Sequence, residues 1–197
     1  VQRIVIISDE VLYQCHQPVL GFFGGKADVW RPERPVVSLF DLMSQLHEWV
    51  LRRQPNIVHF ASGLLDTRSV CYGSPQTLSL IHHYRENIER LLEIVLERTT
   101  ATPILATIPP VDMKRLKQMS GDDKRFEYDN EAIIRFNEQA KEAAVKLDVQ
   151  VNDLYGAIKA ASREESERPD GIHFGDHGRD LISSKIIGTI EGLLPTA

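Results

Sequence analysis

The stretch Pro169-Asp170-Gly171-Ile172-His173-Phe174 sets a carboxylate three residues ahead of an imidazole, at the mouth of a final run with helical spacing. An imidazole oriented by a nearby Asp is the base half of a hydrolytic triad, and such a base needs a nucleophile. The place to look is the end of the first strand. That strand reads Arg3 to Ile7, a short Ile- and Val-rich run, and it ends in Ser8-Asp9-Glu10. A Glu stands there instead of a serine.

The segments between these two ends alternate strand and helix, which argues for an α/β domain with a mostly parallel sheet. After the first strand, Gln17 to Pro35 holds Gly21, Gly24, Gly25, Pro32 and Pro35 and reads as a long loop. A second strand is expected at Val36-Val37-Ser38-Leu39, then a helix from Asp41 to Arg53 with Leu42, Leu46, Trp49 and Val50 facing the core. Pro55 ends it, and Asn56 to Phe60 make a third strand with a turn at Ser62-Gly63. The next helix is expected over Thr77 to Arg98. Its buried stripe is Leu80, Ile81, Tyr84, Ile88, Leu91, Leu92 and Val95, and His82 and His83 read as surface residues. Ile104 to Ile108 form a fourth strand, stopped by Pro109-Pro110. A polar insertion from Asp112 to Asp129 follows, then a helix from Asn130 to Leu147 carrying Ile133, Phe136, Ala140 and Val145 inward. Val149 to Val151 make the fifth strand. Ser162 to Arg168 reads as a charged loop, and the last helix spans His177 to Leu194.

One domain over residues 1–197 suits this length. A formal charge of -5 leaves no basic face, so nucleic acid is not an expected partner. Lys114 to Lys117 and Lys124-Arg125 are interleaved with Asp122, Asp123 and Glu127, the pattern of a solvated loop. No apolar run approaches a membrane span, and no signal peptide is read. The start at Val1, directly before a strand, is consistent with a leader already removed. Cys15 and Cys71 read as free thiols by default, with a disulfide open in an oxidising compartment. Neither shows metal-ligand spacing with the histidines, and no cofactor is expected.

In open parallel sheets, ligands sit outside the carboxyl ends of the strands. Ser8-Asp9-Glu10, Ser62-Gly63 and Thr107-Ile108-Pro109-Pro110 all follow strands, so they are expected along one sheet edge. Asp170 and His173 join them before the last helix.

With these positions assembled, the chain resembles the SGNH/GDSL hydrolase superfamily over nearly its whole length. Asp170-Gly171-Ile172-His173-Phe174 with Gly178, Leu181 and Ile182 is similar to the family's last block, Asp-x-x-His leading into a helix. Phe136-Asn137-Glu138 through Val149-Gln150-Val151-Asn152-Asp153-Leu154-Tyr155 resembles the helix–strand passage before it. Ile104 to Pro110 resembles its proline-ended strand. The resemblance implies a three-layer α/β/α sandwich with a five-stranded sheet, and a cleft for a small-molecule ester or carbohydrate. It also marks departures. The family's first block, Gly-Asp-Ser, is here Ser8-Asp9-Glu10. Its second supplies a glycine N–H to the oxyanion hole, where this chain has Val37-Ser38-Leu39-Phe40-Asp41. Its third, Gly-x-Asn-Asp, aligns with Gly63-Leu64-Leu65-Asp66, so Leu65 replaces the Asn donor.

Losing an oxyanion donor costs roughly a hundred- to a thousand-fold in rate. Losing the nucleophile removes the covalent route. The expected site therefore has His173, Asp170 and Glu10 at the catalytic positions, with Ser8, Asp9, Gly63, Leu65 and Asp66 around the ligand. Glu10 either faces the His173 imidazolium or turns to solvent at the first helix N-terminus. Asp9 is expected to tie down backbone. Asp66 with Glu10 and His173 is a weak metal candidate that lacks a ligand signature. Gly24-Gly25 lacks the context of a phosphate loop. Trp30, Phe22 and Phe23 either cover the cleft or form a satellite core. The leading functional expectation is a binding or interaction module with impaired chemistry. The alternative is an active ester hydrolase using Ser8, Ser62 or water activated by His173 or Glu10. A carboxylate glycosidase using Glu10 with Asp9 or Asp170 comes third.

Overall fold

Alternation along three strands builds the molecule in layers. In the computed structural model, which describes residues 1–72, 74–77, 81–120 and 126–195, the first half runs β1 (Arg3–Ser8), α1 (Glu10–Tyr13), α2 (His16–Phe23), β2 (Asp28–Trp30), α3 (Leu39–Leu46), β3 (Ile57–Ala61), β4 (Ser69–Tyr72) and β5 (Ser74–Thr77). The second half runs α4 (Ile81–Arg98), β6 (Thr102–Ala106), α5 (Met113–Ser120), β7 (Phe126–Glu127), α6 (Asn130–Lys146), β8 (Gln150–Asn152), α7 (Leu154–Ala160) and α8 (Asp176–Glu191). The main sheet is five-stranded in the order β2-β1-β3-β6-β8, and every pairing in it is parallel.

Successive side chains of a strand point to opposite faces. Val5 and Ile7 of β1, Val58 and Phe60 of β3, and Leu105 of β6 join one core with the stripe of α4 and with Ile133, Phe136 and Ala140 of α6. Ile4 and Ile6, Ile57 and Ala61, and Ile104 and Ala106 face the other way, against Val19 and Phe23 of α2 and Ile182, Ile186 and Ile190 of α8. Strands buried on both faces read as continuous apolar runs, as these do. The expected three-layer α/β/α sandwich is the observed fold.

Several local expectations are corrected. The segment Gln17 to Pro35 is not one long loop: it contains most of α2 and all of β2. Pro18 is tolerated because it sits in the first turn of α2, where its missing N–H costs no helical bond. The second strand is Asp28–Trp30, not Val36 to Leu39, and Val36 makes only an isolated parallel bridge to Asp9. The following helix starts earlier, at Leu39, capped by the Ser38 side chain accepting from the Asp41 N–H, and passes into a π-helical turn at His47–Leu51. Thr77 ends β5 rather than opening a helix, and β4 pairs antiparallel with both β5 and β7 as a small second sheet. Val145 is 78 % exposed, because the buried stripe of α6 runs through Ala140, Ala143 and Ala144 and leaves Val145 around the helix. The Leu154–Ala160 helix follows β8 directly, capped by Asp153 accepting from the Gly156 N–H. Phe23 is buried in the second core and Trp30 packs against the first, with Arg53 stacked 3.3 Å over its ring, so neither covers the cleft. His82 and His83 are exposed, as expected. Leu80 and residues 122–125 lie outside the described residues, as does the Cys71 side chain. Cys15 is a buried free thiol between α1 and α2.

Candidate active-site cleft

The loops at the carboxyl edge of the sheet enclose a cavity of about 180 Å³. Its polar members are Asp9, Glu10, His173 and Tyr128; Val11, Val37, Leu64, Leu65 and Ile172 supply apolar wall. Ser8-Asp9-Glu10, the turn after β3 and the segment before α8 thus meet at one edge. Thr107 to Pro110 stand behind rather than in the cavity: the Thr107 hydroxyl donates to Asp153 at 2.9 Å, and the Ile108 N–H donates to Asn137 at 2.7 Å.

The Asp170–His173 pair is formed. His173 Nδ1 lies 2.6 Å from Asp170 Oδ2, while Asp170 Oδ1 accepts the backbone N–H groups of Ile172 and His173 at 2.8 and 2.7 Å. Burial pulls this carboxyl upward, but the bonds from the ring and the two amides outweigh it and hold the group at about 2. The turn depends on Gly171, whose φ of +91° suits glycine and whose Cβ would strike the backbone of Leu116. A carboxylate bonded to Nδ1 fixes ring orientation and leaves Nε2 as the outward nitrogen.

Opposite it, the β1–α1 junction is built differently. Ser8 is 1 % exposed and its hydroxyl donates to the Asp9 carbonyl at 3.0 Å. Asp9 is 7 % exposed. Its Oδ2 accepts the Leu64 N–H at 3.3 Å, and the N–H groups of Leu12 and Gly63 also lie against the carboxyl. Burial nevertheless pushes Asp9 up to about 6, with the nearby Asp66 charge adding to the rise. Its Oδ1 has no hydrogen-bond partner among the described residues. Glu10 is exposed in the first turn of α1 and shares the cavity with His173, yet forms no hydrogen bond or ion pair with it.

Several of the amides around the cavity are already engaged. The Val37 N–H donates to Asp41 Oδ2 at 3.0 Å, and Asp41 is itself held by a bidentate Arg34. The Leu39 N–H donates to Asp66 Oδ2 at 2.9 Å. With Leu64 donating to Asp9, three backbone donors of the second and third blocks end on carboxylates of this chain. Gly63, at φ +139°, has the Tyr84 hydroxyl and Ile108 where a Cβ would stand, so only glycine makes this turn. Asp66, 4 % exposed, serves the Leu39 amide and does not line the cavity. Among the described residues no group of three or more His, Cys, Asp or Glu is placed to hold a metal ion.

Sequence reasoning placed Leu65 by the ligand but missed Tyr128 and the rest of the apolar wall, since nothing in a Val, Leu or Ile by itself marks it as cleft-lining. It also missed a buried pair on the far face of the sheet, His16 and His59. Burial pushes these down to about 3 and about 4, and both nitrogens of His16 and Nδ1 of His59 lack a hydrogen-bond partner among the described residues.

No family model matches this chain, and no curated protein matches it in sequence. Solved structures do. A lipase/acylhydrolase from Enterococcus faecalis superposes with a TM-score of 0.76 at 21 % identity, covering 100 % of this chain and 99 % of its own. A GDSL-like lipase from Bacteroides thetaiotaomicron gives 0.72 at 16 % identity over 98 % and 89 %. An acetylxylan esterase from Geobacillus stearothermophilus gives 0.70 at 13 % identity over 96 % and 94 %. The chain therefore has the SGNH-hydrolase fold from end to end.

Proposed function

We propose that this chain is an SGNH-fold binding module that lacks ordinary serine esterase chemistry. The observation that carries the reading is the composition of the cavity around His173: among the described residues its lining contains no serine, threonine or cysteine, and the hydroxyl there is the Tyr128 phenol. Ser8, the nearest serine in sequence, points its hydroxyl at a backbone carbonyl in the core. Attack by Glu10 on an ester would give a tetrahedral adduct that expels the carboxylate again in preference to the far poorer alkoxide leaving group, so the acyl group is not transferred. The engaged amides of Val37, Leu39 and Leu64 support the same reading, because an oxyanion needs free donors aimed at it.

One observation favours a second reading. The Asp170–His173 pair retains the geometry of a working base, so His173 could activate a water against a small ester. Without oxyanion donors such hydrolysis falls roughly a hundred- to a thousand-fold short of a complete site. The test is turnover of chromogenic acetyl esters and acetylated xylo-oligosaccharides by the wild type and His173→Ala. No turnover by either protein is expected. Turnover abolished by His173→Ala overturns the proposal.

A further inference from the structure

We infer that the amino edge of the main sheet carries a binding site for a small phosphate monoester. It lies at the opposite end of the strands from His173 and does not depend on what that cleft does.

A cavity of about 320 Å³ opens there, between the start of β1, the strand β2 and the turn that leads into β3. Its charged members are Arg3, Arg52, Arg53 and Asp28, and the Trp30 indole forms part of its wall. Three guanidinium groups thus meet one carboxylate, a basic patch that a formal charge of -5 for the whole chain conceals. Arginine cannot be deprotonated in a protein, so this excess of positive charge is permanent.

The arginines are pinned by the fold. The Arg52 N–H donates to the His47 carbonyl at 2.8 Å and the Arg53 N–H to the Val50 carbonyl at 3.1 Å, which ties both to the π-helical turn. Arg3 reaches across from β1. Its guanidinium donates to the Arg53 carbonyl at 3.0 Å, while the Asn56 side chain accepts its backbone N–H at 2.8 Å. The Arg53 guanidinium is stacked 3.3 Å from the centroid of the Trp30 ring. A planar fork already held in place loses less freedom when a ligand arrives.

These contacts leave the charge unmatched. Among the described residues neither Arg3 nor Arg53 forms an ion pair, and Asp28 pairs with none of the three arginines. Arg52 bonds Glu48 at 2.9 Å, but both side chains are more than half exposed, and such a pair holds weakly in water. The bond to the Arg53 carbonyl uses one of the five N–H donors of Arg3.

An anion supplies what is missing, and the charge count narrows which one. Three guanidinium groups against one carboxylate suit a dianion better than a single carboxylate ligand. A phosphate monoester carries about -1.5 to -2 at neutral pH and offers three strong acceptor oxygens. Arginine forks match those oxygens in paired N–H···O contacts. The volume sits at the low end of the ~300–1,000 Å³ of small-molecule sites, which leaves room for the phosphate and a body of a few carbons.

The experiment is calorimetric titration of the full chain, at ~150 mM salt so that diffuse attraction is screened, with glycerol 3-phosphate, glycerol and acetate. Saturable binding of glycerol 3-phosphate is expected, with acetate weaker and glycerol inert. Arg3→Gln keeps an amide donor for the Arg53 carbonyl but removes the charge, and it should weaken glycerol 3-phosphate about tenfold. Arg53→Gln should do the same. Arg98→Gln, at an exposed position of α4 outside this lining, should change nothing. Urea midpoints confirm that each variant is folded. No saturable binding, acetate equal to the phosphate, wild-type affinity in both Arg3→Gln and Arg53→Gln, or an equal loss in Arg98→Gln overturns the inference. A lipid headgroup presents the same dianion, so sedimentation with phosphatidylcholine vesicles containing phosphatidate forms the last arm. Vesicle capture alongside glycerol 3-phosphate binding keeps the site and makes lipid a source of its ligand; capture without that binding overturns it.

Discussion

The two halves of the cleft have gone different ways. The C-terminal half, Asp170 to His173, has the geometry of a base: one carboxylate, two backbone amides and a ring nitrogen joined within four residues. The N-terminal half, Ser8 to Glu10 with the turn after β3, places the carboxylates of Asp9 and Glu10 at the cavity, with the Leu64 and Leu39 amides donating to Asp9 and Asp66. In the first half the carboxylate is stabilised and held at about 2. In the second, burial raises Asp9 to about 6. The same cleft thus holds one carboxylate that favours its charge and another that resists it.

The contrast can be attacked most severely at Gly63. Its φ of +139° and the Tyr84 and Ile108 atoms at its Cβ position mean that Gly63→Ala should cost roughly 3–5 kcal/mol by combined strain and overpacking. Urea unfolding measures this; a loss under about 1 kcal/mol would mean the turn is not the rigid floor of the N-terminal half.

The two carboxylates should also respond to pH with opposite signs. Asp9 is raised from an ordinary value of 3.8 to about 6. The folded state therefore binds the extra proton between these values, and stability falls as pH rises through that window. His16 and His59, buried neutral, pull the absolute curve the other way, since they must charge as acid is added. The readable quantity is thus the difference between the wild type and Asp9→Asn. Relative to the wild type, the variant should gain about 2–3 kcal/mol between pH 4 and pH 7. A flat difference would place a cation or a second donor on Asp9.

Asp170 is lowered, so it contributes stability above its unfolded value, and that contribution is lost as pH falls through about 2. The side chain is 44 % exposed, and with solvent screening Asp170→Asn should cost only about 1 kcal/mol at neutral pH. Thermal unfolding at neutral and strongly acidic pH checks this, with the gap closing in acid.

The smallest effect is expected from restoring the alcohol. Glu10→Ser should acquire slow acetyl-ester turnover that depends on His173, yet remain roughly a hundred- to a thousand-fold below a site with oxyanion donors. Full activity in that variant would show that the amides on Asp9, Asp41 and Asp66 are more available than their hydrogen bonds imply.

Much of this architecture was legible beforehand because it is local. The apolar runs of β1, β3 and β6 and the i, i+3, i+4 stripe of α4 need only their own residues to be recognised. So does Asp170 with His173, which are three residues apart. What escaped has a longer reach or a weaker pattern. The three-residue strand Asp28-Val29-Trp30 is too short to show a period, and its place at the sheet edge is set by pairing with β1. The engagement of Leu39 by Asp66 and of Leu64 by Asp9 joins positions 27 and 55 residues apart. No spacing rule anticipates such pairs. His59 was hidden inside Ile57-Val58-His59-Phe60, where a single polar residue does not disturb an apolar run.

The central claim is that no nucleophilic hydroxyl faces His173. Intact-mass spectrometry after incubation with a serine-reactive fluorophosphonate tests it most directly. The account predicts an unmodified chain in both the wild type and His173→Ala. A stoichiometric adduct on a serine or threonine of the wild type, absent from His173→Ala, would contradict it.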